Sequence, residues 1–272
     1  MKTPITYFGG KQTMLKYILP LIPTHTTYTE SFCGGAAVLF AKAPVESEVI
    51  NDINMHLTNF YWVSKIHFKE LKKEIDKTLH SRDTHAHATH ILKYPSFFTY
   101  VERAWAVWVL SKTSFASMLD GTFGYDFKGM MPKKLRNAKK EFTYEIANRL
   151  DFVTIENRNA LDIISTYDNE DAFHFVDPPY INTSCAHYED TFNELDLNNL
   201  LQLLVTIKGK FMLTMFPNET IQSYADRNNW IIHKITRTIS AAKDSRRKQE
   251  EWMVCNYEQE NKQGSLFTQN HL

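Results

Sequence analysis

Along the chain, short apolar runs bounded by polar turns alternate with stretches in which apolar residues return every three or four positions. The first pattern marks buried strands and the second amphipathic helices. Residues 27–31 read as a short strand, followed by a glycine-containing turn and a helix through Ala36, Ala37, Val38, Leu39 and Phe40. A second strand over 48–51 leads into a helix from about Asn54. After a long interval the alternation resumes with a strand at 152–156. The clearest strand is Ala172-Phe173-His174-Phe175-Val176, which runs straight into Asp177. Leu197, Leu200, Leu201 and Leu204 repeat at helical spacing and predict a helix over 196–207. A strand at 211–215, a helix over 221–227 and late strands over 230–239 and 251–257 complete the series. Strands alternating with helices predict an α/β fold with a mainly parallel sheet.

Residues 67–145 break this rhythm. A charged helix over 68–75 is followed by a histidine-rich polar stretch that reads as a solvated loop, then by an aromatic helix over 95–112. Residues 114–132, rich in Gly and aromatic side chains, read as turns or a hairpin. The expected organisation is a sheet domain made of 1–66 and 146–260, with an inserted, mostly helical subdomain at 67–145. The polar tail at 261–272 is expected to be poorly ordered.

Composition narrows the picture in a few places. Lys+Arg 31 balance Asp+Glu 31, so any nucleic-acid surface has to come from local clustering. Two clusters stand out: Lys133, Lys134 and Arg136 with Lys139 and Lys140, and Lys243, Arg246, Arg247 and Lys248. Phosphate contact is their functional reading and a solvated face the plain one. Cys33, Cys185 and Cys255 are too few and too scattered for a disulfide framework, which suits reduced thiols. No apolar run approaches the roughly 20 residues that span a bilayer, and the amino terminus lacks the apolar core of a secretory signal. A cytoplasmic protein without membrane contact is expected. His80, His85, His87 and His90 invite a metal reading, but they lie without cysteines or carboxylates at ligand spacing, so no metal is expected. Trp105, Trp108 and Phe115 fit base stacking, or, from the spacing of the tryptophans, the buried side of a helix.

The candidate chemistry gathers at strand ends. Asp177-Pro178-Pro179-Tyr180 follows a buried strand directly, and two prolines stiffen the turn by locking φ. Ligands of open α/β sheets collect at such carboxyl ends. A carboxylate and carbonyls on a rigid backbone can accept hydrogen bonds from an exocyclic amino group, while Tyr180 offers a face to a planar base. The plainer alternative is an Asp-Pro turn with a core Tyr. Glu30-Ser31-Phe32-Cys33-Gly34-Gly35-Ala36 closes the first strand with small residues that let a ligand approach the backbone, or it is an ordinary strand–helix turn. Asn51-Asp52 ends the second strand about twenty residues after the Gly turn, where a carboxylate can grip ribose hydroxyls. It serves equally as the lead-in to a helix cap at Asn54.

Taken in order, these segments resemble the DNA adenine methylases of the Dam-like group. Pro4-Ile5-Thr6-Tyr7-Phe8-Gly9-Gly10-Lys11 matches the group's amino-terminal signature, Asp52-Ile53-Asn54 with Leu57 and Asn59-Phe60-Tyr61 its stretch after the second strand, and Asp177 to Tyr180 its catalytic motif, unaltered. The resemblance implies a Rossmann-like class I methyltransferase sheet, the inserted segment serving as a target-recognition subdomain. It implies S-adenosylmethionine as cofactor, held by Tyr7, Phe8, Gly10, Lys11, Phe32, Gly34, Asp52, Ile53 and Asp162, with Asp177 adjoining. Phe32 and Ile53 are equally consistent with plain core. The sequence departs from the group at Ser31, where relatives often have Pro, at Ala36, where the third small residue is usually Gly, and through 114–125, where an Asn-Gly stretch is usual. The resemblance therefore implies the chemistry and leaves the recognition sequence open.

The implied reaction is transfer of a methyl group to the N6 amino group of an adenine flipped out of double-stranded DNA. Asp177 and the Pro178 carbonyl accept the amino hydrogens, Pro179 stiffens the turn, Tyr180 stacks, and no cysteine nucleophile is needed. Lys133, Lys134, Arg136, Tyr125, Lys128, Arg246 and Arg247 are the expected DNA contacts. A monomer or weak dimer is expected, with a cognate restriction endonuclease left open. The rival readings are methylation of another amino group (RNA adenine, cytosine or a protein amide) and an inactive DNA-binding homologue.

Overall fold

The structure, a computed structural model, describes residues 1–181, 192–239 and 247–259, with backbone alone at 237–239 and 247. Lys243, Arg246, Cys185 and the 261–272 tail lie outside the described residues. Strands β1 (Thr27–Glu30), β2 (Ser47–Asn51), β3 (Val153–Glu156), β4 (Ala172–Val176), β5 (Lys210–Met215), β6 (Ile231–Ile239) and β7 (Arg247–Cys255) form one sheet. Its order is β3-β2-β1-β4-β5-β7-β6. The strands β3 to β5 run parallel, and β7 enters antiparallel between β5 and β6. From β1 the chain builds outward first to β3 and then, through β4, in the other direction. The crevice between the carboxyl ends of β1 and β4 is thus a topological switch point, where open α/β sheets bind ligands. This is the expected Rossmann-like sheet.

Because successive strand residues face opposite sides, each strand feeds two cores. Phe173, Phe175, Met212, Met253 and Cys255 face one, and Val176, Phe211, Leu213, Trp252 and Val254 face the other. Helices α1 (Leu15–Ile18), α2 (Ala37–Ala41) and α3 (Met55–Ile66, capped by Asn54) cover the first face. The segment 67–145 supplies α4 (Phe68–Lys77), α5 (Arg82–Lys93), α6 (Tyr100–Thr113) and α7 (Met130–Glu141). Helix α6 opens on a Thr99/Glu102 capping box and packs against α3, α4, α5 and α7. That central position is why apolar residues occupy most of its circumference. In α8 (Glu145–Arg149), Arg149 bonds Glu48 and the Leu39 carbonyl, at 2.9 and 2.8 Å, and ties the returning chain to the sheet. The other face is covered by α9 (Ala160–Tyr167), α10 (Glu194–Thr206) and α11 (Glu219–Asn228), each capped by an Asn.

Two expectations change. The histidine-rich stretch is not a solvated loop but helix α5. Ser81 caps it, and His85, Ala88 and Ile91 recur along one buried face. Histidine's polarity hides this periodicity, but the His85 ring is held inside by the Ser114 hydroxyl at 3.0 Å. Residues 114–132 do contain an isolated antiparallel bridge, Ser114 to Phe123, but α7 begins within them at Met130. The Asp126 carboxylate accepts the N–H groups of Lys128, Met130 and Met131 and so organises the helix start. Pro132 is harmless there, since first-turn N–H groups have no intrahelical partner. Trp108 is fully buried, Trp105 packs against the core and Phe115 is exposed, so the tryptophans follow the buried-helix alternative.

Candidate active site

The turn after β1 is shaped for close approach. Gly34 has φ +46°, and a Cβ placed there would stand 3.0 Å from the Tyr7 ring. Its N–H donates to Asp52 Oδ2 at 2.9 Å and its carbonyl accepts the Tyr61 hydroxyl at 2.7 Å. Asp52, at the end of β2, also accepts the Asn54 N–H through Oδ1 at 2.9 Å. Burial raises its carboxyl above the ordinary value, while those two N–H donors pull it down. Asp52 thus leads into the α3 cap, as its plainer reading has it, and ties that cap to the glycine turn. Asn51 bonds the Ser31 and Arg158 carbonyls at 2.9 and 3.0 Å, knitting the ends of β1, β2 and β3 together. Ile53 is exposed, leaving an apolar surface beside that junction. Phe32 meets Phe192 edge-on at 6.0 Å.

Over this turn lies the amino-terminal segment. Ile5 is fully buried, the Thr3 hydroxyl donates to the Gly35 carbonyl, and Tyr7 packs on Gly34. Gly9, at φ +73°, turns the chain, and a Cβ on Gly10 would meet the Tyr7 carbonyl at 2.9 Å. The segment then drops Lys11 into the interior, with its Nζ 2.8 Å from the Gly9 carbonyl.

Lys11 is the centre of the site. Its ammonium lies 2.7 Å from Asp177 Oδ1, 3.7 Å from Glu251 Oε1 and 4.8 Å from the centroid of Tyr180. The Thr214 hydroxyl donates to the same Asp177 oxygen at 2.6 Å, and the Tyr180 hydroxyl donates to Glu251 Oε1 at 2.7 Å. Phe216 meets the Tyr180 ring edge-on at 4.5 Å. Burial pushes the Asp177 carboxyl above its ordinary value and Glu251 adds to the rise, opposed by Lys11 and Thr214. Behind it, burial lifts Glu30 to about 8, although the Leu39 N–H and the Tyr28 hydroxyl favour its charged form.

The structure brings Tyr7, Gly10, Lys11, Gly34, Asp52, Asp177 and Tyr180 into one crevice at the switch point. It does not bring Asp162 into that group: the carboxylate sits in the first turn of α9, is largely exposed and lies 3.8 Å from Arg158. Lys11 faces the catalytic turn itself, which the resemblance does not indicate. Thr214, Phe216 and Glu251 are site residues that motif reading misses. Thr214 carries a faint signal, as a polar residue inside the apolar run Phe211 to Met215. Glu251 carries none, because several charged residues precede it.

Of the expected DNA contacts, Lys133, Lys134 and Arg136 are exposed on α7. Lys139 is half-buried and its ammonium bonds the Asp76 and Thr78 carbonyls at the end of α4, so it is already engaged within the protein. Tyr125, Phe127 and Lys128 are exposed, with the Arg82 guanidinium over Phe123 and Tyr125 at 5.2 and 5.3 Å. This tip rises beside the amino-terminal segment: Lys112 Nζ donates to the Thr6 hydroxyl at 3.2 Å, and the Gly124 N–H bonds the Thr113 carbonyl at 2.7 Å. Arg247 begins β7 opposite Ile239. Cys33 and Cys255 are buried, and burial pushes both thiols up, away from nucleophilic character.

Residues 7–247 match the D12 class N6 adenine-specific DNA methyltransferase family. Among relatives, the type II methyltransferase M1.LlaDCHI of Lactococcus lactis subsp. cremoris is 29% identical, over 92% of this chain and 93% of its own. The type II methyltransferase M.CviBI of Paramecium bursaria Chlorella virus NC1A is 25% identical, over 83% of this chain and 87% of its own.

Proposed function

The chain belongs to the D12 class N6 adenine-specific DNA methyltransferase family, and from that premise we propose a division of labour among the residues of the crevice. The enzyme methylates adenine in DNA at N6. The observation that carries the assignment is the placement of Asp177 at the carboxyl end of β4, held by Lys11 and Thr214, across the switch point from the Gly34–Asp52 turn.

The Gly34 turn leaves a space that a side chain would fill, Asp52 offers a carboxylate at the end of β2, and exposed Ile53 offers a flat apolar surface. These features fit S-adenosylmethionine. Tyr7, Phe8, Gly10, Phe32 and Gly34 would line its methionine side, and Asp52 and Ile53 its nucleoside side. When bound, it supplies an electrophilic sulfonium methyl group whose carbon–sulfur electron pair leaves with sulfur. Asp177 and the Pro178 carbonyl accept hydrogen bonds from the adenine amino group and orient its lone pair, while Pro179 keeps the turn rigid. Bond formation puts positive charge on N6; the Asp177 carboxylate is the adjacent group that stabilises it and accepts the surplus N–H proton on its way to solvent, leaving neutral N6-methyladenine. Tyr180, braced by Phe216, presents its ring to the base.

A base inside a duplex is out of reach, so the adenine is flipped into the crevice. The 67–145 segment is the proposed target-recognition subdomain. Its exposed Tyr125, Lys128, Lys133, Lys134 and Arg136, joined by Arg82, meet the DNA, with Arg246 and Arg247 as a second contact. A modification role beside a cognate endonuclease is supported by the relatives' type II names, and a monomer or weak dimer is part of the proposal. The test is transfer of labelled methyl from S-adenosylmethionine to unmethylated DNA, with Asp177→Ala alongside. N6-methyladenine formed by the native enzyme and absent with Asp177→Ala is the expected result. An Asp177→Ala enzyme at the native rate would remove Asp177 from the mechanism.

A further inference from the structure

Among the described residues, the crevice brings the carboxylates of Asp177 and Glu251 against the ammonium of Lys11. Lys11 comes from the amino-terminal segment, Asp177 and Tyr180 from the turn after β4, Thr214 from β5 and Glu251 from β7. Glu30 lies behind them at the end of β1. Glu251 is fully buried, and no motif assigns it a role. Burying a carboxylate is costly unless it is paired and hydrogen-bonded. It takes the Tyr180 hydroxyl at 2.7 Å and stands 3.7 Å from the Lys11 ammonium, which itself sits 2.7 Å from Asp177.

These contacts close a ring: Asp177 to Lys11, Lys11 to Glu251, Glu251 to Tyr180, and Tyr180 back to Asp177 through the rigid Pro178-Pro179 backbone. In the geometry shown, Lys11 Nζ lies on Oδ1 of the carboxylate that the proposed mechanism needs for the adenine amino group, an oxygen that also takes the Thr214 hydroxyl. A displacement of less than about an ångström toward Glu251 equalises the two carboxylates' hold on the ammonium, within the reach of a flexible lysine stem. We propose that Glu251 is a positioning residue for methyl transfer: it draws Lys11 off Asp177 when the amino group docks, and it anchors the Tyr180 hydroxyl so that the ring keeps its stacking orientation. The inference rests on the reading that Asp177 accepts the amino hydrogens.

Charge balance supports it. Among the described residues, Asp177 and Glu251 share the ammonium of Lys11, so one negative charge of the pair stays unneutralised where N6 becomes positive. Without the Glu251 charge, Lys11 has one anionic partner and masks it. The effect on Asp177 has a definite sign. Glu251 is among the groups that raise its pKa and Lys11 the one that opposes burial most. Removing the Glu251 charge therefore lowers the Asp177 value.

The experiment measures single-turnover methyl transfer to duplex DNA across pH for the native enzyme, Glu251→Gln, Glu251→Asp and Asp177→Ala, with S-adenosylmethionine affinity and thermal melting recorded for each. Glu251→Gln keeps an acceptor for Tyr180 but loses the charge. The expected result is a native-like melt, cofactor affinity within a few-fold of native, and transfer slower by about tenfold, with the acid limb of the profile moved to lower pH. Glu251→Asp keeps the charge but is one methylene short. It is expected to slow transfer while leaving the acid limb in place, and it carries the test if Glu251→Gln loses its cooperative melt. Either variant at the native rate overturns the inference. So does a slow Glu251→Gln whose acid limb has not moved, which would reduce Glu251 to packing. An active Asp177→Ala instead refutes the underlying assignment, so the two failures are distinguishable.

Discussion

The ammonium of Lys11 and the carboxylate of Asp177 form a buried ion pair of 2.7 Å that joins the amino-terminal segment to the turn after β4. The amino-terminal signature and the Asp-Pro-Pro-Tyr motif are therefore one device. Removing one partner of a buried pair leaves the other uncompensated, at a cost of about 3–5 kcal/mol. Lys11→Met, close in volume, is expected to lose stability on that scale in urea melts. Lys11 is also a group that lowers the Asp177 pKa, so its loss raises that value further. An acid raised in the folded state contributes stability present below its unfolded pKa and lost as pH rises through the folded one. The deficit of Lys11→Met is thus expected to be smallest at acidic pH and to grow toward neutrality, while the acid limb of its residual activity moves to higher pH. A deficit independent of pH would show that Asp177 does not sense Lys11.

The turn after β1 places left-handed backbone at both Gly34, φ +46°, and Ala36, φ +49°. At Gly34 a methyl would be both strained and 3.0 Å from the Tyr7 ring. Gly34→Ala is expected to cost about 1–2 kcal/mol and to weaken S-adenosylmethionine binding measured by calorimetry, because Tyr7 must shift. At Ala36 the strain exists already. Replacement by Gly removes about 1–2 kcal/mol of it, but gives up a buried methyl worth about 0.8 kcal/mol and frees the unfolded chain. The expected melting change for Ala36→Gly is close to zero, which accounts for the tolerance of Ala where relatives usually have Gly. A large change in either direction would refute that balance.

Glu30, behind Asp177 at the end of β1, offers a second pH test. It is buried, bonded to the Tyr28 hydroxyl and the Leu39 N–H, each at 3.0 Å, and its carboxyl is raised to about 8. Its favourable contribution is complete below its unfolded value of about 4.5 and is lost as pH rises to about 8, at up to about 1.4 kcal/mol per pH unit. Glu30→Gln keeps the acceptor without the ionisation. Its stability relative to the native enzyme should therefore climb between pH 5 and pH 8 in urea melts. A flat difference would mean that Glu30 titrates normally.

The sheet was legible because its strands are short apolar runs, and Asp177, Gly34 and Asp52 were legible because rigid turns and glycines mark strand ends. What escaped was what distant segments bring together. Nothing near Lys11 says that its ammonium reaches Asp177, and Glu251 acts only because β7 inserts between β5 and β6, which local periodicity does not report. Helix α5 escaped because histidines occupied positions that an apolar count leaves blank. Lys139 read as one more surface charge, although its stem and ammonium cap α4.

That engagement of Lys139 within the protein separates two kinds of basic residue on α7 and makes the DNA surface testable. Lys133, Lys134 and Arg136 are exposed and stand on the segment that adjoins the amino-terminal signature through Lys112 and Thr6. Each phosphate that a cation neutralises releases condensed counterion, and the slope of log K against log salt changes by about 0.9 for every phosphate left without its cation. Replacing all three by Ala is expected to flatten the salt slope of DNA binding by up to about 3, with cofactor affinity and melting unchanged. Lys139→Met should do the reverse: it frees two carbonyls at the end of α4 and costs about 1–3 kcal/mol, and it leaves the salt slope intact. Binding titrations at several salt concentrations, paired with melts, measure both. A triple variant with the native slope would move the phosphate surface off α7 and toward the basic cluster that includes Arg246 and Arg247.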